Sequence, residues 1–176
     1  HALGHELEEA DLVFDGEAMR EAVGTLLQIH LAAGVRDLSA LLGRPVDEEH
    51  VERATLALAE RGAQFTGVEM LGVLELFTTI ARQVAPFFET YDVLLTPTLA
   101  TPPVSHGYIY TDDPDPDRYL QRFMDFIPFT PVANIAGIPA MTVPTYWNES
   151  GLPIGTHFMS GFGNEDVLFG LAAQLE

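Results

Sequence analysis

Four serines, six histidines and 26 carboxylates are the groups from which this chain could assemble a hydrolytic site. A serine hydroxyl is a weak nucleophile until a base takes its proton. Ser105 and His106 are the one serine–histidine neighbour pair, in a proline-rich loop. Adjacent residues rarely align as nucleophile and base, and no Gly-x-Ser-x-Gly elbow is present. Ser39, Ser150 and Ser160 are isolated. A lysine base is excluded within the chain, because all eight basic residues are arginines. With no cysteine, thiolate chemistry is excluded as well. His1, His5 and Glu6 are close in sequence, and His50 follows Glu48 and Glu49, yet no His-Glu-x-x-His motif occurs and zinc needs three or four converging ligands. No pair of acids is singled out for glycoside cleavage. Gly161-Phe162-Gly163 lacks the remaining glycine and the lysine of a phosphate-binding loop. His30 and His157 lie in apolar stretches and read as core histidines with a hydrogen-bond partner.

The charge balance narrows the partners. A net charge of −18 repels nucleic-acid phosphates and anionic membrane surfaces, so neither is an expected partner. No apolar run reaches 18 residues and the first residues carry no basic signal region, which points to a soluble, cytoplasmic protein. At 176 residues the chain is one domain or a piece of a larger one. Its apolar fraction of 47% is ample for a core, while a charged fraction of 19% is low for a small independent domain. Some apolar surface is therefore expected to be covered by something else.

The elements that must position any site follow from periodicity and punctuation. A strand is expected over 6–10, after a glycine cap at Gly4. Met19, Ala22, Leu26, Ile29 and Ala33 share one helical stripe over 16–33, which Gly34 should end. A short helix over 37–42 should stop at Gly43 and Pro45. Asp47 is suited to cap a third helix with Val51, Ala54 and Leu58 inward. Thr66 and Glu69 form a capping box for a long helix whose buried face reads Val68, Leu71, Leu74, Ile80 and Val84. A buried strand over 92–95 feeds an extended loop over 98–107. Residues 112–117, alternating aspartate with proline, read as a solvated loop, and a helix follows over 118–126. Thr130-Pro131 starts a short helix over 132–136 as cap and first-turn proline, and Gly137 ends it. Strands over 140–143 and 155–159 flank a turn at 148–151, and a last helix covers 165–175. Helices interleaved with short apolar strands make an α/β protein.

Three blocks in this order resemble the C-terminal region of the amidase-signature family. They are Tyr91-Asp92-Val93-Leu94-Leu95-Thr96-Pro97-Thr98, then Pro128-Phe129-Thr130-Pro131-Val132-Ala133-Asn134-Ile135-Ala136-Gly137-Ile138-Pro139-Ala140, then Gly151-Leu152-Pro153-Ile154-Gly155 ahead of a Gly-Asn-Glu helix start. The opening Leu3-Gly4-His5-Glu6-Leu7-Glu8-Glu9-Ala10 fits as well. The variant Gly155-Thr156-His157-Phe158 is similar to the subgroup that includes 6-aminohexanoate-cyclic-dimer hydrolase.

The resemblance implies that residues 1–176 are the C-terminal part of a single amidase-signature domain, with a mixed β-sheet flanked by helices. It implies hydrolysis of a carboxamide C–N bond by a serine whose proton passes through a second serine, on a cis peptide, to a neutral lysine. Those residues lie N-terminal to the region represented here, so the chain alone should be inactive. No metal or organic cofactor is implied. The expected partners are a small-molecule amide, the N-terminal part of the same protein and a second copy in a homo-oligomer. The stretch 126–134 holds two prolines, which stiffen a loop, and by the resemblance it lies near the catalytic serines. Ile127, Phe129, Thr130 and Asn134 are accordingly the expected substrate-binding residues. The competing functional reading is a non-catalytic binding or assembly module. The alternative to the pocket assignment is structural: Phe129 serves only the core, Thr130 is only a helix cap, and Asn134 ties its helix to a neighbouring backbone.

Overall fold

The computed structural model describes residues 3–175, and its contacts divide the chain into two compact units. One comprises the residues up to Asp15, Phe77–Pro102 and those from Phe129 onward. The other comprises Gly16–Leu76 and Pro103–Pro128.

The first unit is built on a three-stranded sheet. Strands β1 (Val93–Pro97), β2 (Ala140–Trp147) and β3 (Pro153–Ser160) lie in the order β1-β3-β2, antiparallel throughout. The part of the fold within this chain is thus the antiparallel one. β2 and β3 form the expected hairpin. Asn148 shapes its turn: the side-chain oxygen accepts from the N–H groups of Ser150 at 3.0 Å and Leu152 at 2.9 Å, an Asx-type turn. Helix α5 (Pro131–Ala136) ends at Gly137, whose φ of 66° suits a residue without a β-carbon. Helix α6 (Glu165–Leu175) packs on β2 and β3. Ile80, Val84, Val132, Ala133, Phe158, Met159 and Leu168 are the buried apolar residues here.

The second unit is helical. Helices α1 (Gly16–Leu42), α2 (Arg53–Gly62) and α4 (Pro116–Phe126) pack on one another, burying Met19, Ala22, Ala54, Leu58, Ala59 and Met124. Helix α3 (Gly67–Val84) begins in this unit and ends in the first, continuing into a 3-10 turn at Ala85–Glu89. Its expected capping box is present: Thr66 N–H donates to Glu69 Oε2 at 2.7 Å and Glu69 N–H to Thr66 Oγ1 at 3.2 Å.

Several expectations are corrected. The helices over 16–33 and 37–42 are one, and Gly34 lies inside it. A mid-helix glycine costs ~1 kcal/mol but breaks no hydrogen bond and clashes with nothing, so the helix runs on to Leu42. Asp47 does not cap a helix; its carboxylate accepts from Glu49 N–H at 3.0 Å and pairs with His50 at 2.7 Å, holding a turn. α2 starts six residues later. Residues 6–10 form no strand, having no sheet partner among the described residues. The expected face of α3 splits. Ile80 and Val84 are buried, together with Val73, whereas Val68, Leu71 and Leu74 are 79%, 60% and 45% exposed. His30 is exposed, bonded to the Leu26 carbonyl, and the aspartate loop is not wholly solvated, since Asp113 is buried.

Candidate functional site

The polar residues that converge in the first unit lie on one face of its sheet. Register sets Thr96 of β1 and Thr142 of β2 on either side of His157 in the central strand. His157 is buried. Its Nδ1 is 3.2 Å from Thr96 Oγ1, and that hydroxyl donates to the Pro97 carbonyl at 3.0 Å. With the threonine proton committed there, Nδ1 must supply the hydrogen in the first contact. This hydrogen-bond reasoning assigns the Nδ1–H tautomer and leaves the lone pair on Nε2. Burial holds the imidazole pKa below its ordinary value, because the charged form is the one that loses solvation. The ring is therefore neutral near pH 7.

Two residues along the same face, the space over Gly155 is filled by threonine side chains. A β-carbon there would fall 2.6 Å from Thr98 Oγ1 and 2.7 Å from Thr142 Cγ2. There the hydroxyls of Thr98 and Thr142 meet at 3.2 Å, while Thr98 N–H donates to the Gly155 carbonyl. The glycine is required because the two flanking strands bond to each other over it. Sequence reading singled out His157 but missed the three threonines. The signal was their spacing at 96, 98 and 142, which strand alternation places on one face.

This arrangement holds and orients; it does not generate a nucleophile. In the assigned tautomer the imidazole donates to Thr96 Oγ1, opposite to what activation of the hydroxyl needs. None of the serines is hydrogen-bonded to a base among the described residues. Ser160 Oγ donates to the Asn164 carbonyl at 3.0 Å, and Ser39 Oγ donates to the Val35 carbonyl at 2.8 Å while accepting from Val46 N–H. Ser105 and Ser150 lie exposed in loops. Among the described residues no serine is hydrogen-bonded to a histidine, and no three His, Asp or Glu side chains are grouped as metal ligands; His1 lies outside the described residues.

The four expected substrate-binding residues are not gathered by side-chain bonds. Ile127, half-buried, is the C-cap of α4 and falls in the second unit. Phe129, Thr130 and Asn134 fall in the first. Phe129 and Thr130 are half-buried, and Thr130 has helical dihedrals with no side-chain cap. It therefore does not perform the capping role its sequence context suggested; Pro131 at the first helical position removes one of the N–H groups a cap would satisfy. Asn134 is exposed on α5, whose Pro131, Val132 and Ala133 are buried, so it does not fasten the helix from within a core. A cleft of about 360 Å³ in the first unit is lined by Ala81, Phe88, Glu89, Ile138, Phe162 and Asn164 among others, and none of the four takes part in it.

A family model described as Amidase matches residues 4–169. The chain is 34% identical over 145 residues to AmiC of Mycobacterium leprae, covering 82% of this chain and 30% of that protein. It is 27% identical to the 6-aminohexanoate-cyclic-dimer hydrolase of Paenarthrobacter ureafaciens, over 99% of this chain and 37% of the relative. To the lipoamidase of Enterococcus faecalis it is 30% identical, over 98% and 26%. The solved structure of 6-aminohexanoate cyclic dimer hydrolase superimposes with a TM-score of 0.86 at 27% identity, covering 99% of this chain and 38% of that one. A bacterial aryl acylamidase of the amidase signature family superimposes at 0.72 with 22% identity. The chain thus spans 26% to 37% of the length of these curated relatives.

Proposed function

Since the chain belongs to the amidase family, we propose that it is the C-terminal part of an enzyme that hydrolyses a carboxamide C–N bond, and that it walls the acyl pocket instead of supplying the reacting groups. The observation that carries this reading is a family match over 4–169 in a chain without a single lysine. A serine–serine–lysine relay needs a lysine, so the base and its serines are assigned to sequence beyond these 176 residues. There the serine oxygen attacks the carbonyl carbon, the amine departs with the proton the relay carries, and water then cleaves the acyl-serine. Uncovered apolar side chains on α3 support a further covering segment.

Within the chain, Ile127, Phe129, Thr130 and Asn134 are the proposed pocket residues. The support is their place in a continuous proline-stiffened stretch that carries the family's second block. The relatives' names include a cyclic-dimer hydrolase and a lipoamidase, so the bond class is proposed and not the acyl group. A cytoplasmic location and a homo-oligomer belong to the proposal. Among the described residues no helix is long and apolar enough to cross a membrane. The test compares this chain with a protein that also carries the remaining two-thirds of the family domain. The longer protein should hydrolyse a panel of amides and take up a fluorophosphonate on one serine, and the 176-residue chain should do neither. Stoichiometric labelling of Ser39, Ser105, Ser150 or Ser160 would overturn the assignment.

A further inference from the structure

Helix α2 begins without a cap of its own. Glu52 stands at the N-cap in extended backbone and makes no side-chain capping bond. The first N–H groups of a helix need acceptors, and here they come from a distant segment. Ala54 N–H donates to the Thr111 carbonyl at 3.0 Å, and Arg53 N–H points to Asp112 Oδ1 at 3.4 Å. The Arg53 side chain closes on the same carboxylate, with Nε 2.8 Å from Oδ1 and an Nη 2.9 Å from Oδ2. Two turns further along α2, Arg61 forks onto both oxygens of Asp117.

The segment between these fixings is stiff in itself. Pro114 and Pro116 fix two φ angles. Asp113 is buried, accepts from Asp115 N–H at 2.9 Å and receives the Arg118 guanidinium. Asp115 caps α4 through Asp117 N–H and Arg118 N–H. On the other side, Arg122 donates to the Tyr108 carbonyl at 3.0 Å and lies over the Tyr108 ring at 4.7 Å. Residues 108–117, a loop and the first two residues of α4, are thus bonded to one another and to Arg118 and Arg122 of α4. Besides the packing of α4 on α2, the segment's links to α2 are two forked ion pairs at the surface, one short backbone bond and one long one. Surface pairs are individually weak and are screened by salt. Further along α2 the attachment is different: Leu58 and Ala59 are buried, and Gly62 lies against the backbone of α1. The two attachments of α2 thus differ in kind.

We propose that residues 108–117 are a strap clasped to α2 by Arg53–Asp112 and Arg61–Asp117, which lifts as a unit when those two clasps are screened or removed, while α1 and α2 stay packed. Local opening of this kind lies below global unfolding wherever few buried apolar contacts hold a segment.

Amide hydrogen exchange on the protein carrying this chain tests it. Raising sodium chloride from about 20 mM to 1 M crosses from long to short screening length. Protection at Ala54, whose N–H is bonded across to the Thr111 carbonyl, should fall about five-fold or more, while Leu58, the α1 amides and the amides bonded within the strap stay unchanged. Arg53→Gln with Arg61→Gln should produce the same loss at low salt and abolish the salt response. Asp117→Asn, a milder change at one clasp, should give an intermediate loss. An Ala54 amide equally protected at both salt concentrations overturns the proposal. So does a loss shared by Leu58 and α1, which would mean that the strap is part of the core.

Discussion

Gly62 of α2 sits so close to the backbone of α1 that a β-carbon on it would fall 1.9 Å from the Gln28 carbonyl oxygen. No side-chain rotation relieves that overlap, because the obstacle is backbone. Gly62→Ala must push α1 and α2 apart, at a cost of about 1–3 kcal/mol or more for an overpacked contact. Gly34, by contrast, lies in mid-helix, and a β-carbon on it would meet nothing within 4 Å. Gly34→Ala should stabilise by about 0.4–1 kcal/mol through the unfolded chain. Denaturant unfolding of the pair should show opposite signs; a neutral Gly62→Ala would mean that the two helices are not in close contact.

The His157 environment gives stability a pH dependence. Its folded-state pKa is lowered by burial, so between the folded and unfolded values the unfolded chain binds the extra proton. That part of the stability is complete above the ordinary histidine pKa of ~6.5. It is lost as pH falls through the window beneath it. His157→Asn can keep a donor toward Thr96 without titrating, and its stability should be flatter across that window than that of the parent. Equal slopes for the two proteins would remove His157 as the cause.

Exposed apolar residues on α3 predict association. Val68 and Leu71 are the most exposed of the expected inward face, and apolar surface tends to find a cover. In the 176-residue chain, Leu71→Glu should shift sedimentation toward monomer without loss of stability. In the longer protein the same change should destabilise, by up to ~1.5–3 kcal/mol if the side chain is fully buried there. If both proteins tolerate it equally, this face is solvated in each.

The pocket assignment predicts kinetics. In the longer protein Phe129→Ala and Asn134→Ala should change kcat/KM between amides of different acyl size, with Asn134→Ala leaving stability nearly unchanged because its side chain is exposed. Phe129→Ala should cost less than the ~3–5 kcal/mol of a fully buried phenylalanine, since it is half-buried. Wild-type kinetics on every amide for both variants would return these residues to a structural role.

Legibility tracked locality. The capping box at Thr66 and Glu69, the glycine stop at Gly137 and the hairpin turn at Asn148 were readable because each is settled within a few residues. The α2 start was not, since its acceptors are Thr111 and Asp112, 59 positions beyond Arg53 in the second case. Val68 and Leu71 have a core-like pattern, and periodicity reports which face is apolar without reporting what lies against it. In the sheet, His157 was readable as a buried histidine, whereas its threonine neighbours depended on a register no local pattern sets. The four expected pocket residues came from the resemblance and from proline stiffness, which no local pattern of side chains replaces.

The strand order has a directional consequence. With β3 in the centre, β1 and β2 form the two margins of the described sheet. Pro144 removes a donor from β2, and the register slips between Pro144 and Tyr146, features that blunt a margin against a newcomer. β1 has its proline only at the last residue, Pro97, so its ladder is regular up to that point. The sheet therefore has a polarity of growth: a strand arriving from elsewhere finds its template along Val93–Thr96, and the hairpin side serves as the terminus.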